Sequence, residues 1–290
     1  MMIAGPKLGD QSMAADDLKV TVLSENTTSR PGILAEHGLS LLIQSGDTRV
    51  LFDTGASELF KRNARKLRAS LESLDAVFIS HGHYDHTGGL RSLLEEDVAV
   101  YGHPDIFVER FSLKHGRMKS IGFPEGDDVI GTNDRFHLSR KPQSYGCFRT
   151  TGEVPRICDF EKPSSRFFLD RDRERQDTVL DDQSLYVATS RGLVVFLGCC
   201  HAGLINTLNH IRAISGERHI HWIIGGTHLL DASEERLKST VGALGEIGFD
   251  RISPLHCTGL RGQHFFLTYF EERYHHISCG DAVSIQARIL

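Results

Sequence analysis

Apolar positions along this chain fall into two kinds of run. Short clusters rich in Val, Ile and Leu occur at Leu18 to Leu23, Leu39 to Ile43, Val50 to Phe52, Ala76 to Ser80 and Val98 to Tyr101, each bounded by Gly, Asn, Asp or Ser, and they read as strands. Ser57 to Ala69 instead sets Leu59, Phe60, Ala64 and Leu67 near one face at helical spacing, with Ser57 placed as N-cap and Lys61, Arg62, Arg65, Lys66 and Arg68 as a solvated face. The second half repeats the style. Ser184 to Thr189 and Leu193 to Leu197 form a hairpin turning at Ser190, Arg191 and Gly192, followed by a helix from about Leu204 to Ile214. A strand His219 to Ile224, a helix Ser233 to Leu244 and a strand ending at Leu255 come next. Mixed hairpins and helices in two halves predict two sheets packed face to face with helices outside. The domain is expected to run from 18 to 290, after an extension over 1–17. Residues 105 to 180 break the pattern: Pro104, Pro124, Pro142, Pro155 and Pro163 punctuate charged, Gly-containing sequence, so an insertion over a site is expected there.

Composition narrows the function. With 33 Lys+Arg against 38 Asp+Glu the formal charge is −5, and no basic arm of the kind that tracks phosphate backbones is present, so nucleic acid is not an expected partner. The 40% hydrophobic and 24% charged content is that of an ordinary globular chain. Six cysteines without a Cys-x-x-Cys pair fit free thiols of a reducing compartment. The N-terminal residues lack a basic start followed by an apolar stretch, and no apolar run of about eighteen residues occurs. A cytoplasmic protein acting on a small molecule, away from membranes, is the expectation.

Histidine is the residue that draws attention, with sixteen in the chain. The strand AVFIS runs into His81-Gly82-His83-Tyr84-Asp85-His86-Thr87-Gly88-Gly89, which places four metal-ligand side chains in six consecutive positions. In extended backbone His81 and His83 project from the same side and grip one ion. A turn, expected at Gly88-Gly89 into a helix, then directs Asp85 and His86 to a second ion. Imidazole and carboxylate suit Zn, Fe, Mn or Co, and ions about 3.5–4 Å apart form a two-metal arrangement. His219-Ile220-His221 shares the spacing but sits inside a strand without the Asp-His continuation, and reads as structural. His103, His115, His137, His210, His264, His275 and His276 read as solvated or hydrogen-bonded surface residues.

Three other strands end in small residues and a histidine: Gly198-Cys199-Cys200-His201-Ala202-Gly203, Gly225-Gly226-Thr227-His228 and Pro254-Leu255-His256-Cys257-Thr258-Gly259. Strand tips position side chains rigidly, and glycine permits close approach. His201 and His256 are therefore candidate ligands. Asp53, in Leu51-Phe52-Asp53-Thr54-Gly55, ends a strand as a carboxylate able to orient the metal loop by accepting hydrogen bonds.

Together these residues resemble the metallo-β-lactamase superfamily, with its strand-ending Asp (Asp53), its His-x-His-x-Asp-His run (His81 to His86) and its later strand-tip ligands. The resemblance spans about Leu18 to His256 and implies an αββα sandwich with two divalent metal ions, zinc first and Fe or Mn as alternatives, along one edge of the sheets. DDQSL at Asp181 to Leu185, GCCHAG at Gly198 to Gly203, GGTHL at Gly225 to Leu229 and LHCTG at Leu255 to Gly259 resemble the dihydropterin ribofuranosylaminobenzene phosphate synthase-like branch. Typical members carry a His-x-x-Gly element before a hairpin and a bridging Asp after it. Here those stretches read Asp181-Asp182-Gln183 and Gly198-Cys199-Cys200-His201, so Cys199, Asp181 and Asp182 are further candidate ligands. His228 resembles a histidine that some relatives use for proton transfer.

Two cations sharing a water lower its pKa from about 15.7 toward about 7 and polarise a substrate oxygen, so no Ser or Cys nucleophile is required. The chain contains neither Gly-x-Ser-x-Gly nor a Walker loop. The leading expectation is a hydrolase of a small anionic or phosphorylated substrate through a metal-bridging hydroxide. Asp85 and His228 would be its catalytic residues, His228 protonating the leaving group, and Arg117, Lys119, Arg135, Arg140 and Lys141 would contact the anion. The alternatives are a synthase joining a pterin to a ribosyl-phosphate aminobenzene, and a non-enzymatic metal-based sensor or redox protein.

Overall fold

Strands with apolar side chains on both faces need cover on both faces. In the computed structural model, which describes residues 17–94, 96–124 and 134–286, the central strands are covered in this way. The first sheet contains β1 (Asp17–Ser24), β2 (Ser40–Ser45), β3 (Thr48–Phe52), β4 (Ala76–Phe78) and β5 (Ala99–Gly102). A small sheet over one end is made from β6 (Phe111–Lys114), β7 (Arg117–Ser120) and β11 (Phe167–Phe168). β8 (Phe136–Leu138) closes one edge of the first sheet and β16 (Ala282–Gln286) the other, giving the order β16-β1-β2-β3-β4-β5-β8. The second sheet runs β15 (Arg251–Leu255), β14 (Ile220–Gly226), β13 (Gly192–Leu197), β12 (Leu185–Thr189), β10 (Phe148–Thr150) and β9 (Ser144–Tyr145).

Alternation along each strand divides its side chains between two cores. Val194 and Phe196 of β13 meet Phe52, Phe78 and Trp222 between the sheets. Leu193, Val195 and Leu197 turn outward and are covered by α3 (Leu204–Ser215), α4 (Glu234–Ile247) and α5 (Gly259–Phe270). On the other side Leu51 and Val77 pack against Phe60 and Ala64 of α1 (Leu59–Leu67). The result is the expected four-layer αββα sandwich. Among the described residues no helix is long and apolar enough to cross a membrane.

Several local expectations need correction. α1 starts at Leu59 because the Ser57 hydroxyl donates to Glu36 Oε2 at 2.6 Å and accepts only from the Leu59 N–H, while Glu58 takes the N-cap position. Ser233 does cap α4, its hydroxyl accepting from Arg236 N–H at 3.2 Å. The chain turns before Gly88-Gly89, in the single turn α2 (Tyr84–Thr87), and the helix that follows the two glycines is a short 3-10 helix, Leu90–Leu93, with Gly89 at its N-cap. α5 and β16 were not anticipated, since only Gly262 and Phe266 of α5 and Ile285 of β16 are buried and no strong periodicity marks them.

The Pro-rich stretch 105–180 divides, its residues 125–133 lying outside the described residues, as do residues 1–16 of the expected extension. β8, β9 and β10 extend the two large sheets, whereas β6, β7 and β11 lie over the strand ends. Phe148 of β10 is fully buried between the sheets. Phe148→Ala is expected to destabilise the protein by about 3–5 kcal/mol, read as a lower urea midpoint at unchanged slope.

β3, β4 and β5 are parallel, as are β13, β14 and β15. Ligands of open α/β sheets bind beyond the carboxyl ends of parallel strands. Here both sheets direct those ends to one edge.

Candidate metal centre

At that edge β3 delivers Asp53 with a left-handed φ of 59°. Its carboxylate accepts from Ser80 N–H at 2.7 Å, from Ser80 Oγ at 2.8 Å and from His86 Nδ1 at 2.6 Å. A histidine whose Nδ1 is held by a carboxylate presents Nε2 as a fixed donor. The β13 end comes this close only because Gly198 has no Cβ, which would lie 2.2 Å from Ser80 Oγ. His256 (φ 49°), His228 (φ 50°) and Cys200 (φ 61°) share the left-handed conformation. Such backbone costs on the order of 1–3 kcal/mol per residue and concentrates at functional sites.

Two sets of donors converge. His81 Nε2 lies 3.0 Å from His83 Nδ1, and with His201 their donor atoms fall within 4.8 Å of one another. Beside them His86 Nε2 is 3.2 Å from His256 Nε2 and 3.2 Å from Cys199 Sγ, while Asp85 Oδ2 is 3.3 Å from His256 Nε2. Cys199 sits between the sets, grouping with His81 and His86 on one side and with His256 and Cys257 on the other. His83 Nε2 and His201 Nε2 are buried without any hydrogen-bond partner. Buried ring nitrogens facing one another without partners are costly in a bare protein and are satisfied by cations.

The electrostatics fit the same use. Burial, reinforced by neighbouring imidazoles, holds His81 and His201 well below the usual histidine range, and burial does the same for His83. They are therefore neutral, as metal ligands must be. Burial also opposes charge on His86, but the Asp53 carboxylate outweighs it and pushes the ring up to about 9. Asp85 is held well below the carboxylate range because bonds from His256 and His37 overcome its desolvation.

Residues 34–187 match the family model of the metallo-beta-lactamase superfamily. The chain belongs to that superfamily. This metallo-beta-lactamase relative is 31% identical over 285 residues, 92% of its own length and 97% of the other's, to the 7,8-dihydropterin-6-methyl-4-(beta-D-ribofuranosyl)-aminobenzene-5'-phosphate synthase of Methanocaldococcus jannaschii. It is 34% identical to the solved structure of Tm1679, named as a metal-dependent hydrolase of the beta-lactamase superfamily, with a TM-score of 0.78 and coverage of 93% and 99%. YhfI from Bacillus subtilis shares the fold at 16% identity, with a TM-score of 0.56 over 93% of this chain and 99% of that one.

In this superfamily member the supporting residues come from unexpected places. Asn26 Oδ1 lies 2.8 Å from His256 Nδ1, and Glu25 Oε1 accepts from His256 N–H at 3.0 Å. Asp181 and Asp182, expected as possible ligands, join none of the donor sets found among the described residues. Asp181 accepts from Gly82 N–H at 2.8 Å and pairs with Arg110 at 2.7 Å. Asp182 accepts from Ala202 N–H at 2.9 Å, and burial pushes its carboxyl up to about 6. Both reach the histidine-bearing loops through backbone N–H groups, Asp181 with the Arg110 guanidinium beside it, while Asp182 Oδ1 is buried without a hydrogen-bond partner. Arg110 is buried between Asp177 and Asp181. Arg110→Ala strands two buried carboxylates and is expected to cost about 3–5 kcal/mol in denaturant unfolding.

A cavity of about 550 Å³ opens onto the donors. His83, Asp85, Cys199, His201 and His228 form its floor, and Ser112, Lys114, Lys119 and Ser120 of β6 and β7 form one wall with Arg166 and Phe167 beside them. Of the five cations expected to contact an anion, only Lys119 lines this cavity. Arg117 is exposed opposite Lys114 in the hairpin, and Arg135 binds the carbonyls of Leu94 and Glu96. Arg140 pairs with Asp105 and Glu153, and Lys141 is exposed outside the lining. Lys114 joins Lys119 in the lining, as does Arg166, which pairs with Asp231 at the same cavity. The His228 ring lies tilted 4.2 Å from that of His201, centroid to centroid, and burial with the nearby Arg166 brings it down to about 4.

His219 and His221 share Asp250 Oδ2 at 3.0 and 2.8 Å on the opposite end of β14. His103, expected at the surface, is buried and bonds Glu153 at 3.0 Å. Asn26, Glu25 and Arg110 were missed for want of a motif. The available signal was that β1 runs into Glu25-Asn26 as β3 runs into Asp53, polar residues just past a strand's carboxyl end.

Proposed function

We propose that this protein is a two-metal enzyme that joins a pterin to a ribofuranosyl aminobenzene phosphate, the product named for its Methanocaldococcus jannaschii relative. The observation that carries the reading is the pairing, in one cavity, of a histidine-rich floor with a wall of Lys114, Lys119 and Arg166 and the face of Phe167. Such a cavity suits a substrate with a phosphate at one end and an aromatic ring at the other.

His81, His83 and His201 would hold one ion, and Asp85, His86 and His256 the other, with Cys199 between them. Bound ions act as Lewis acids toward a substrate oxygen, and imidazole with thiolate favours zinc. Lys114, Lys119 and Arg166 bind and orient the phosphate as point charges and a fork. Phe167, whose ring lies 5.2 Å from His83 and 5.4 Å from His201, offers its face to the arene and keeps water from the reacting end. His228, at about 4, is uncharged at neutral pH. It serves as a hydrogen-bond acceptor toward the substrate rather than as the proton donor that the sequence led us to expect.

Hydrolysis of a phosphorylated small molecule is the second reading, favoured by the 34% identity to the structure named as a metal-dependent hydrolase. Metal-loaded protein given the pterin and ribofuranosyl aminobenzene phosphate partners should form the joined product, and chelated protein should not. Turnover of ester, lactone or phosphodiester substrates with no joined product selects the hydrolase. Full metal loading with neither activity selects a sensor. Lys119→Ala is expected to raise KM for the phosphorylated partner about tenfold with kcat little changed, since it removes ground-state binding.

A further inference from the structure

One imidazole at the centre belongs to no motif. His37 lies between β1 and β2 in a segment tied to the metal loop from both sides. On one side Glu36 N–H donates to Glu25 O at 3.1 Å, and the Glu36 carboxylate accepts from Ser24 Oγ at 3.0 Å, Ala56 N–H at 3.1 Å and Ser57 Oγ at 2.6 Å. On the other side Leu39 N–H donates to Asp85 O at 3.1 Å, and a Cβ on Gly38 would come within 2.8 Å of that same oxygen.

Held this way, His37 projects into the cavity with its side chain 54% exposed and Nε2 3.3 Å from Asp85 Oδ2. Its ring centroid is 5.0 Å from that of His256, and the donor atoms of His37, Asp85 and His256 all fall within 4.8 Å. A solvent-facing histidine–carboxylate contact adds at most about 1 kcal/mol to stability. Stability alone gives little reason for anchoring the segment so firmly against Asp85.

We propose that His37 is a ligand of the ion held by Asp85, His86 and His256, a conclusion that rests on the two-metal reading above. His37 would add its imidazole to the donors on that side, where its Nε2 lies 3.3 Å from Asp85 Oδ2 and within 4.8 Å of the His256 donor. A further side-chain donor tightens the hold on that ion.

Cobalt(II) titration of metal-free protein, followed by visible absorption and by competition with a chelator, tests this without reference to activity. Wild type should bind two equivalents. His37→Ala should bind one of them at least about tenfold more weakly with an altered cobalt spectrum, and free imidazole should restore the spectrum. Two equivalents at wild-type affinity with an unchanged spectrum, in His37→Ala or in His37→Gln, would overturn the proposal. So would weaker binding with an unchanged spectrum and no imidazole rescue, which assigns His37 only to orienting Asp85. If wild type takes up no cobalt, the two-metal reading itself falls.

Discussion

Alanine at both His81 and His83 is expected to leave a folded protein that retains one metal ion in place of two and turns over about 10³-fold more slowly. On the two-metal reading proposed above, the two imidazoles are among the side chains that hold the ion on their side of the centre, and what remains there without them is a weak site. Lewis-acid stabilisation is worth several kcal/mol, and each 1.36 kcal/mol is a factor of ten in rate, which sets the magnitude. Folding should survive, because the wild-type rings are buried with His83 Nε2 unpartnered and crowd one another at 3.0 Å, so the metal-free fold gains little from them. Elemental analysis, thermal melting and turnover on the same preparation check this. Two ions per chain in the double variant would refute the assignment of these donors.

Metal-free protein is expected to be most stable near pH 6.5, losing stability on both sides. Burial lowers His81, His83, His201, His228 and His256, so below about 6.5 the unfolded chain takes up protons that the folded chain refuses. Each such histidine costs about 1.4 kcal/mol per pH unit until its folded pKa is reached; for His228, at about 4, the full loss is about 3 kcal/mol. Asp182, raised to about 6, binds its proton in the folded state first and offsets part of this, but it is outnumbered. On the alkaline side His86 has its folded value raised to about 9, so its contribution is complete below 6.5 and is lost as pH rises through 9. Urea midpoints of chelator-treated protein from pH 4.5 to 9.5 should trace a dome. Asp53→Asn, which removes the raising charge, should flatten the alkaline limb; a dome unchanged in that variant would exclude the His86 pair as its source.

What was legible in the sequence is what the chain writes locally. Consecutive residues carry the His81 to His86 run, and each strand-tip histidine announces itself by the apolar strand before it. The layered fold followed from strands that alternate with helices in both halves. The partners that orient the donors are another matter, because they meet across the fold: Asn26 bonds His256 from 230 residues away, and Asp181 reaches Gly82 across 99. Asp181 and Asp182 looked like ligands because carboxylates suit metals, yet once buried they bind the nearest N–H and guanidinium groups. Phe148 was hidden by its Pro-rich, charged surroundings, and α5 by a face that is half exposed.

None of the residues of β6, β7 or β11 belongs to the three apolar clusters that hold the sandwich together. Substitutions at the exposed positions of this roof, among them Lys114 and Lys119, therefore carry little folding penalty, unlike those at the buried Phe111 and Phe167, while the donors beneath it are fixed by the deepest parts of both sheets. On the proposed reading, selection can rewrite recognition at Lys114 and Lys119 without disturbing the histidine floor. Chains that share the floor but carry different roofs are then free to diverge in chemistry, and a synthase name and a hydrolase name on two relatives of this protein are compatible with a single inherited centre.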